Sequence, residues 1–305
     1  MSRGRSTANL VSRASGVAAA LLIAAGALAQ PAPPHAKSVE VEGDGATLQG
    51  TEPTGPARAA PRDAAGHPDL TGYWKPLREP GKPGGNIGKD LPGFKLPLTP
   101  AGEAALKHNR TETIDPEALC ILGGIPRHDA SGLPFEVLQT PRRIAFLYLY
   151  STHRFIPVDG RKHEPDPEPR FFGNPVGEWQ GDTLIIDTVG FKDEKIWLDE
   201  NADPQSDAMH AVERWTRPDA AHIHLELLVD DKKFYTRPFT FSRTWVLGEL
   251  GEGLTEYSCA ENNVDAKHIG PGPGAIGADG NRGADIPKRL PDNPPPPEFY
   301  ETPKR

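Results

Sequence analysis

The chain has 305 residues, a formal net charge of −8 and no basic stripe, which makes nucleic acid a poor candidate partner. Its 34 prolines and 32 glycines exceed a fifth of all residues and concentrate towards the two ends, where they argue against a packed core. After residue 30 no run is apolar for long enough to span a bilayer, so no stable membrane insertion is expected.

Residues 1–29 read as a secretory signal peptide. Arg3, Arg5 and Arg13 precede the apolar run SGVAAALLIAAGALA, which ends in the small-x-small site Ala27-Leu28-Ala29. A spanning helix wants about 20 strongly apolar residues, and this run is short and rich in Ala and Gly. No cysteine stands directly after the cleavage site, which argues against a lipid anchor. The expected location is periplasmic or secreted. Residues 30–66 lack any apolar period and read as a disordered linker. The core is expected at 67–264, the size of one domain. Residues 265–305, with GPGPGAIGADGNRGAD and NPPPPEFYETPKR, read as a disordered Gly/Pro-rich tail.

Two short helices open the core. Thr99 supplies an N-cap and Pro100 a first-turn proline before AGEAALKHN. Asp115-Pro116-Glu117 repeats the device just before Cys120. After Pro134 the apolar period changes to two. FEVLQT (135–140), RRIAFLYLY (142–150), HRFIPV (153–158), VGEW (176–179) and TLIIDTVGF (183–191) follow one another. MHAVERWTR (209–217), AHIHLELLVD (221–230), FYTRPFTFSRTWVL (234–247) and LTEYSC (254–259) complete the series, with Pro238 needing an edge or bulge position. No crossover helix separates these segments. The fold class is therefore mainly β: an antiparallel meander of eight or nine strands forming a closed or half-closed barrel. The two cysteines, Cys120 and Cys259, form an even pair in an exported chain, which favours a disulfide over two free thiols. Closing so long a loop stabilises by roughly 4 kcal/mol in the chain-entropy model.

GHPDLTGYW (66–74), GEWQGDTLIIDTVGF (177–191), HAVERW (210–215) and EYSCAENN (256–263) together resemble a set of exported bacterial proteins of unassigned function. Their usual wording is G-x-P-D-L-S/T-G-x-W followed by W-x-G-D-T-L-V-V-D-T-x-G-F, and the likeness spans nearly the whole core. It implies export and a common fold, with no reaction attached. Members often carry a histidine before the serine of Pro204-Gln205-Ser206. This chain has Gln205 there, so a histidine role does not carry over. Gly72-Tyr73-Trp74 is also similar to the G-x-W step that opens lipocalin-type, calycin-like barrels.

Strand alternation places Ile185, Asp187 and Val189 on one face, and Leu184, Ile186 and Thr188 on the other. Both rows are largely apolar, so Asp187 is expected to be at least half buried and to need a partner, Arg243 or another cation. Arg243 is framed by Phe239, Phe241 and Trp245, and Glu213 shares a row with Ala211 and Trp215. One arrangement puts Asp187, Glu213 and Arg243 in the barrel mouth with Tyr148, Trp215, Trp245 and His210. Asp187 or Glu213 is then the candidate acid or base, and Arg243 holds an anionic or carbonyl group. The alternative is a buried Arg–carboxylate network that fixes strand register. His222, His224 and Glu226 have metal-like spacing, but the opposite row is apolar, so this row faces water and no metal is expected. His163, in the charged loop GRKHEPDPEPR, reads as solvated. Nucleophile elbow, zincin and phosphate-loop signatures are absent, as is a dinucleotide fingerprint, and no cofactor is expected.

Three functions follow from this scaffold. The first is a lipocalin-like exported protein that binds a small apolar or amphipathic ligand. The second is an enzyme on the same barrel, an isomerase, cyclase or hydrolase with a buried carboxylate. The third is a structural or interaction protein of the cell envelope.

Overall fold

The computed structural model describes residues 48–194, 196–259 and 272. The expected signal peptide 1–29, residues 30–47 of the expected linker and all of the expected 265–305 tail but residue 272 lie outside the described residues.

Nine strands form one antiparallel sheet in the order β4-β3-β2-β1-β9-β8-β7-β6-β5, curled into a nearly closed barrel. They are β1 (Gly72–Pro76), β2 (Phe135–Thr140), β3 (Arg143–Tyr148), β4 (Thr152–Pro157), β5 (Asn174–Gln180), β6 (Thr183–Val189), β7 (His210–Thr216), β8 (His222–Asp230) and β9 (Phe239–Leu247). Turn chemistry sets the register. In the β5–β6 hairpin Gln180 pairs with Thr183, leaving a two-residue loop whose first member, Gly181, has φ +62°, as mirror-image hairpin turns require. In the β3–β4 hairpin Tyr148 pairs with Thr152, and the loop ends on Ser151 in the left-handed region.

Two expected segments differ. LTEYSC is irregular, and the ninth strand is instead Gly72–Pro76, which pairs with both β2 and β9. The GYW step therefore joins the first strand to the last, a long-range pairing that period-two reading cannot see. The strand expected from 234 begins at Phe239, directly after Pro238, because proline has no N–H to give a ladder.

Two helices precede the meander, α1 (Pro100–Glu112) and α2 (Arg127–Ser131). Thr99 caps α1, its hydroxyl accepting from the Gly102 N–H at 3.0 Å. Just before a 3-10 turn at Glu117–Leu119, the Asp115 carboxylate accepts from the Glu117 N–H at 3.0 Å. Residues 48–66, inside the expected linker, run along the barrel. Gly50 bridges to Leu77, the Arg58 carbonyl accepts from the Ala220 N–H, and Arg62 pairs with Asp182. Cys120 and Cys259 are disulfide-bonded.

The centre of the barrel is filled with aromatics. Trp215 and Trp245 lie 5.5 Å apart between ring centroids, and Phe135 packs edge-on against both. Phe146 and Trp74 complete this fully buried group. Each such side chain contributes on the order of 2–3 kcal/mol by leaving water. The open seam lies between β4 and β5, which share no ladder. They close on each other at Gly177, where a Cβ would come within 2.8 Å of Ile156 and Val158. Glycine is thus what lets the two edges meet.

Candidate functional site

A buried polar cluster lies beside α2. Gly132 ends that helix in the left-handed conformation at φ +69°, so the segment RHDAS makes little more than one turn. Arg127, His128, Asp129 and Ala130 are all buried. Arg127 is engaged by Asp115 and Glu117, each at 2.7 Å. The buried His128 stands edge-on to Tyr148 and Phe172.

From the strands, the inward parity delivers Tyr148 on β3, Arg154 on β4, Glu213 on β7 and Arg243 on β9. Arg154 donates twice to Glu213, at 2.8 and 2.6 Å, and the Trp215 indole N–H donates to the same carboxylate at 2.8 Å. Because β4 and β7 lie on opposite sides of the seam, this ion pair ties the barrel together where its ladder is missing. The Arg243 Nη2 donates to the Ala130 carbonyl at 2.9 Å.

Among the described residues, six of the eight buried side-chain polar atoms without a hydrogen-bond partner belong to this cluster. They are His128 Nε2, both carboxyl oxygens of Asp129, the Tyr148 hydroxyl, Arg154 Nε and Arg243 Nε. Such concentration is unusual, since buried polar groups are ordinarily paired. Burial, then repulsion from Glu213, pushes the Asp129 carboxyl up to about 8 against the opposing pull of Arg154 and Arg243. Burial, then Arg127 and Arg154, pushes His128 down to about 3, so its imidazole is neutral. Burial also raises the Tyr148 hydroxyl and lowers Arg243. Desolvation is the largest single influence and opposes the Arg154 charge, but Glu213, Tyr148 and Asp129 together outweigh it and Arg154 is raised. The cluster therefore combines one committed ion pair with a neutral carboxyl, a neutral imidazole, a phenol and a second guanidinium.

A cleft leads from the surface to His128 and Tyr148, lined also by Glu117, Leu133, Leu149 and Tyr150. It encloses about 10 Å³, the room of roughly one water.

The expected trio separates. Glu213 and Arg243 are inside the barrel; Asp187 is outside, with 42% of its side chain exposed. Asp187 does not face Arg243. It accepts or shares protons with His163 Nε2 at 2.8 Å and His210 Nε2 at 3.0 Å. The reason is parity: the row that turns inward on β6 is Leu184, Ile186 and Thr188. His210 belongs with it on the outer face, while Tyr148, Trp215 and Trp245 point inward and pack on other side chains. His163, read as solvated, is instead half-buried against Asp187. His222 bonds Asp219 and Glu52, and His224 bonds Thr244, so the two histidines turn to separate neighbours. Glu226 lies near Arg214. Among the described residues no cluster of three His, Cys, Asp or Glu side chains can hold a metal ion.

Sequence reading missed Asp129, His128 and Arg154. Arg154 carries a signal, since it alternates with Thr152 and Ile156 on an apolar row. RHDAS has no period, and nothing local marks it as buried.

Fold and cluster together define a nearly closed nine-stranded antiparallel barrel with a buried polar cluster beside its short helix. Comparison with protein-family models, with curated proteins and with solved structures gives no match.

Proposed function

We propose that this is an exported, lipocalin-like protein that binds one small amphipathic molecule at the barrel mouth beside α2. The observation that carries the reading is the gathering of six unpartnered buried polar atoms beside a surface cleft. Ligand sites are concave, mostly apolar and oriented by a few such groups. The aromatic centre is occupied by Phe135, Trp215 and Trp245, so the ligand rests its polar end at the cleft and its body on the rim. The likeness to exported bacterial proteins and to calycin-like barrels enters as part of this proposal. Export is supported by the Cys120–Cys259 bond. Among the described residues no helix is long and apolar enough to cross a membrane.

Native mass spectrometry of protein purified from its own exported fraction tests the reading. A retained small molecule, lost on denaturation, is the expected result. Protein that emerges empty and whose melting temperature responds to no small-molecule library would overturn it.

A second reading, an enzyme with a buried general acid, is favoured by one specific feature. Asp129 is held protonated near neutral pH beside the Tyr148 phenol, so two neutral donors can face a carbonyl oxygen. Turnover of a carbonyl substrate that is lost in Asp129→Asn, with binding retained, would separate it from the first.

A further inference from the structure

We propose that His222 is a pH-dependent latch: while its imidazole is protonated it pins the segment 48–58 to the outside of the barrel, and on deprotonation it lets residues 51–57 come away. Two backbone contacts anchor that segment. The Gly50 N–H donates to the Pro76 carbonyl, and the Arg58 carbonyl accepts from the Ala220 N–H, each at 2.8 Å. Gly50 lies directly against β9, where a Cβ would come within 2.2 Å of Val246. Between the anchors, residues 51–57 are exposed. Among the described residues, their one ion pair to the barrel is Glu52 with His222, at 3.1 Å.

His222 stands between two carboxylates. Its Nδ1 lies 2.9 Å from both oxygens of Asp219, and its Nε2 lies 3.1 Å from Oε2 of Glu52. A neutral imidazole has a single N–H and can donate to only one of them. Holding both at once requires the imidazolium, which donates from both nitrogens. Asp219 is fixed in the β7–β8 turn by the N–H groups of Ala221 and His222, at 2.8 and 3.0 Å. Its side chain is 21% exposed, against 69% for Glu52. On deprotonation the remaining proton therefore stays on Nδ1, the Nε2 lone pair faces the Glu52 carboxylate, and Glu52 turns to water. Neighbouring charges are engaged elsewhere. Lys75, opposite Val246 on β1, pairs with Glu252 at 2.8 Å. Arg217 donates to the Asp69 and Ala220 carbonyls, and His224 bonds Thr244. Val246, the rung partner of His222 on β9, is apolar. Burial lowers His222, but Asp219 and Glu52 outweigh it and hold the imidazole above its ordinary 6.5. The pinned state is therefore fully favoured below 6.5 and is lost as pH rises through the folded value.

NMR of the isotopically labelled, disulfide-bonded protein tests the latch, titrated from about pH 5.5 to about pH 9 so that the histidine range is covered. The His222 ring gives the midpoint, and the backbone amides of Thr51, Glu52, Thr54 and Gly55 give the state of the segment. Hydrogen exchange of these amides, corrected for its intrinsic pH dependence, should rise about twofold to fivefold across the His222 midpoint, the range for an exposed ion pair. In Glu52→Gln that rise should disappear, while His222 still titrates beside Asp219 at a lower pH. In His222→Ala exchange should stay at its high-pH level throughout. Exchange that remains level while His222 titrates in the unaltered protein overturns the latch, and so does an equal rise in Glu52→Gln. The first of these outcomes needs no variant, so it decides alone if a variant fails to fold.

Discussion

Asp187 and Glu213 stand on neighbouring rungs of the β6–β7 ladder, opposite Val212 and Ile186, yet they face different surroundings. Glu213 points inward, is fully buried, and is held by a bidentate arginine and an indole N–H. Asp187 points outward, is part-exposed, and sits between two histidines. Identical chemistry one rung apart thus yields a seam-spanning tie on one face and a surface contact on the other. The difference is a matter of solvent, because a desolvated charge needs its partner far more than a hydrated one does.

Breaking the inner member should have the largest effect. Glu213→Leu leaves Arg154 buried without a counter-charge and should cost about 3–5 kcal/mol in urea unfolding. The double variant Arg154→Met with Glu213→Leu should recover much of that loss, because it removes both charges together. A double variant as unstable as the single one would show that packing rather than charge holds β4 to β7.

Covalent attachment separates the two faces next. The segment that carries Glu117 and α2 over the inner cluster is tied through Cys120 to Cys259, 139 residues away. The loop that brings His163 to Asp187 has no such bond among the described residues. Reduction should lower stability by about 2–4 kcal/mol. Hydrogen exchange should rise first around α2, with the β5–β6 hairpin unchanged. Uniform acceleration would place the bond's effect on the whole barrel.

Titration sharpens the comparison further. Asp129 is an acid pushed up to about 8 from an ordinary 3.8, so the folded chain keeps a proton that the unfolded chain releases. Its contribution therefore makes stability fall as pH rises from about 4 to about 8. His128, pushed down to about 3 from 6.5, works the other way, and its contribution rises with pH only up to about 6.5. Between about 6.5 and 8 the fall belongs to the raised acids, Asp129, Asp203 at about 8 and Glu200 at about 7, together with His222, which Asp219 and Glu52 hold above its ordinary value against desolvation. Asp129→Asn should remove part of that slope in melting temperature against pH. An unchanged slope would assign it to Asp203, Glu200 and His222.

How far the sequence reveals all this depends on the kind of order involved. Strands from Phe135 to Thr216 follow period two and short turns, both local signals, so their positions agree closely with the reading from sequence. Strand β1 has five residues and takes its role from pairing with β2 and β9, far along the chain. In the site, the face-sharing of Asp187 with Ile185 was readable, but which face turns inward was not, because both rows of β6 are apolar. Ile185 is itself buried on the outer face. Glu213 and Arg243 were legible as charges framed by aromatics. Asp129 was not, since its burial comes from where a single helical turn is set against the barrel.

The smallest effect is expected where the search for chemistry began. Asp187→Asn keeps the shape of the side chain and can still bond one histidine, while removing a charge that solvent already screens. It should cost less than about 1 kcal/mol in urea unfolding, with Glu213→Leu measured alongside as the reference for a buried acid. Ligand retention should be unchanged, because the outer face shares no side chain with the cleft. A loss comparable to that of Glu213→Leu would mean that the Asp187–His163–His210 contact pins the 160–170 loop across the barrel's open edge. Stability of the seam would then depend on both faces of the ribbon rather than on the inner ion pair.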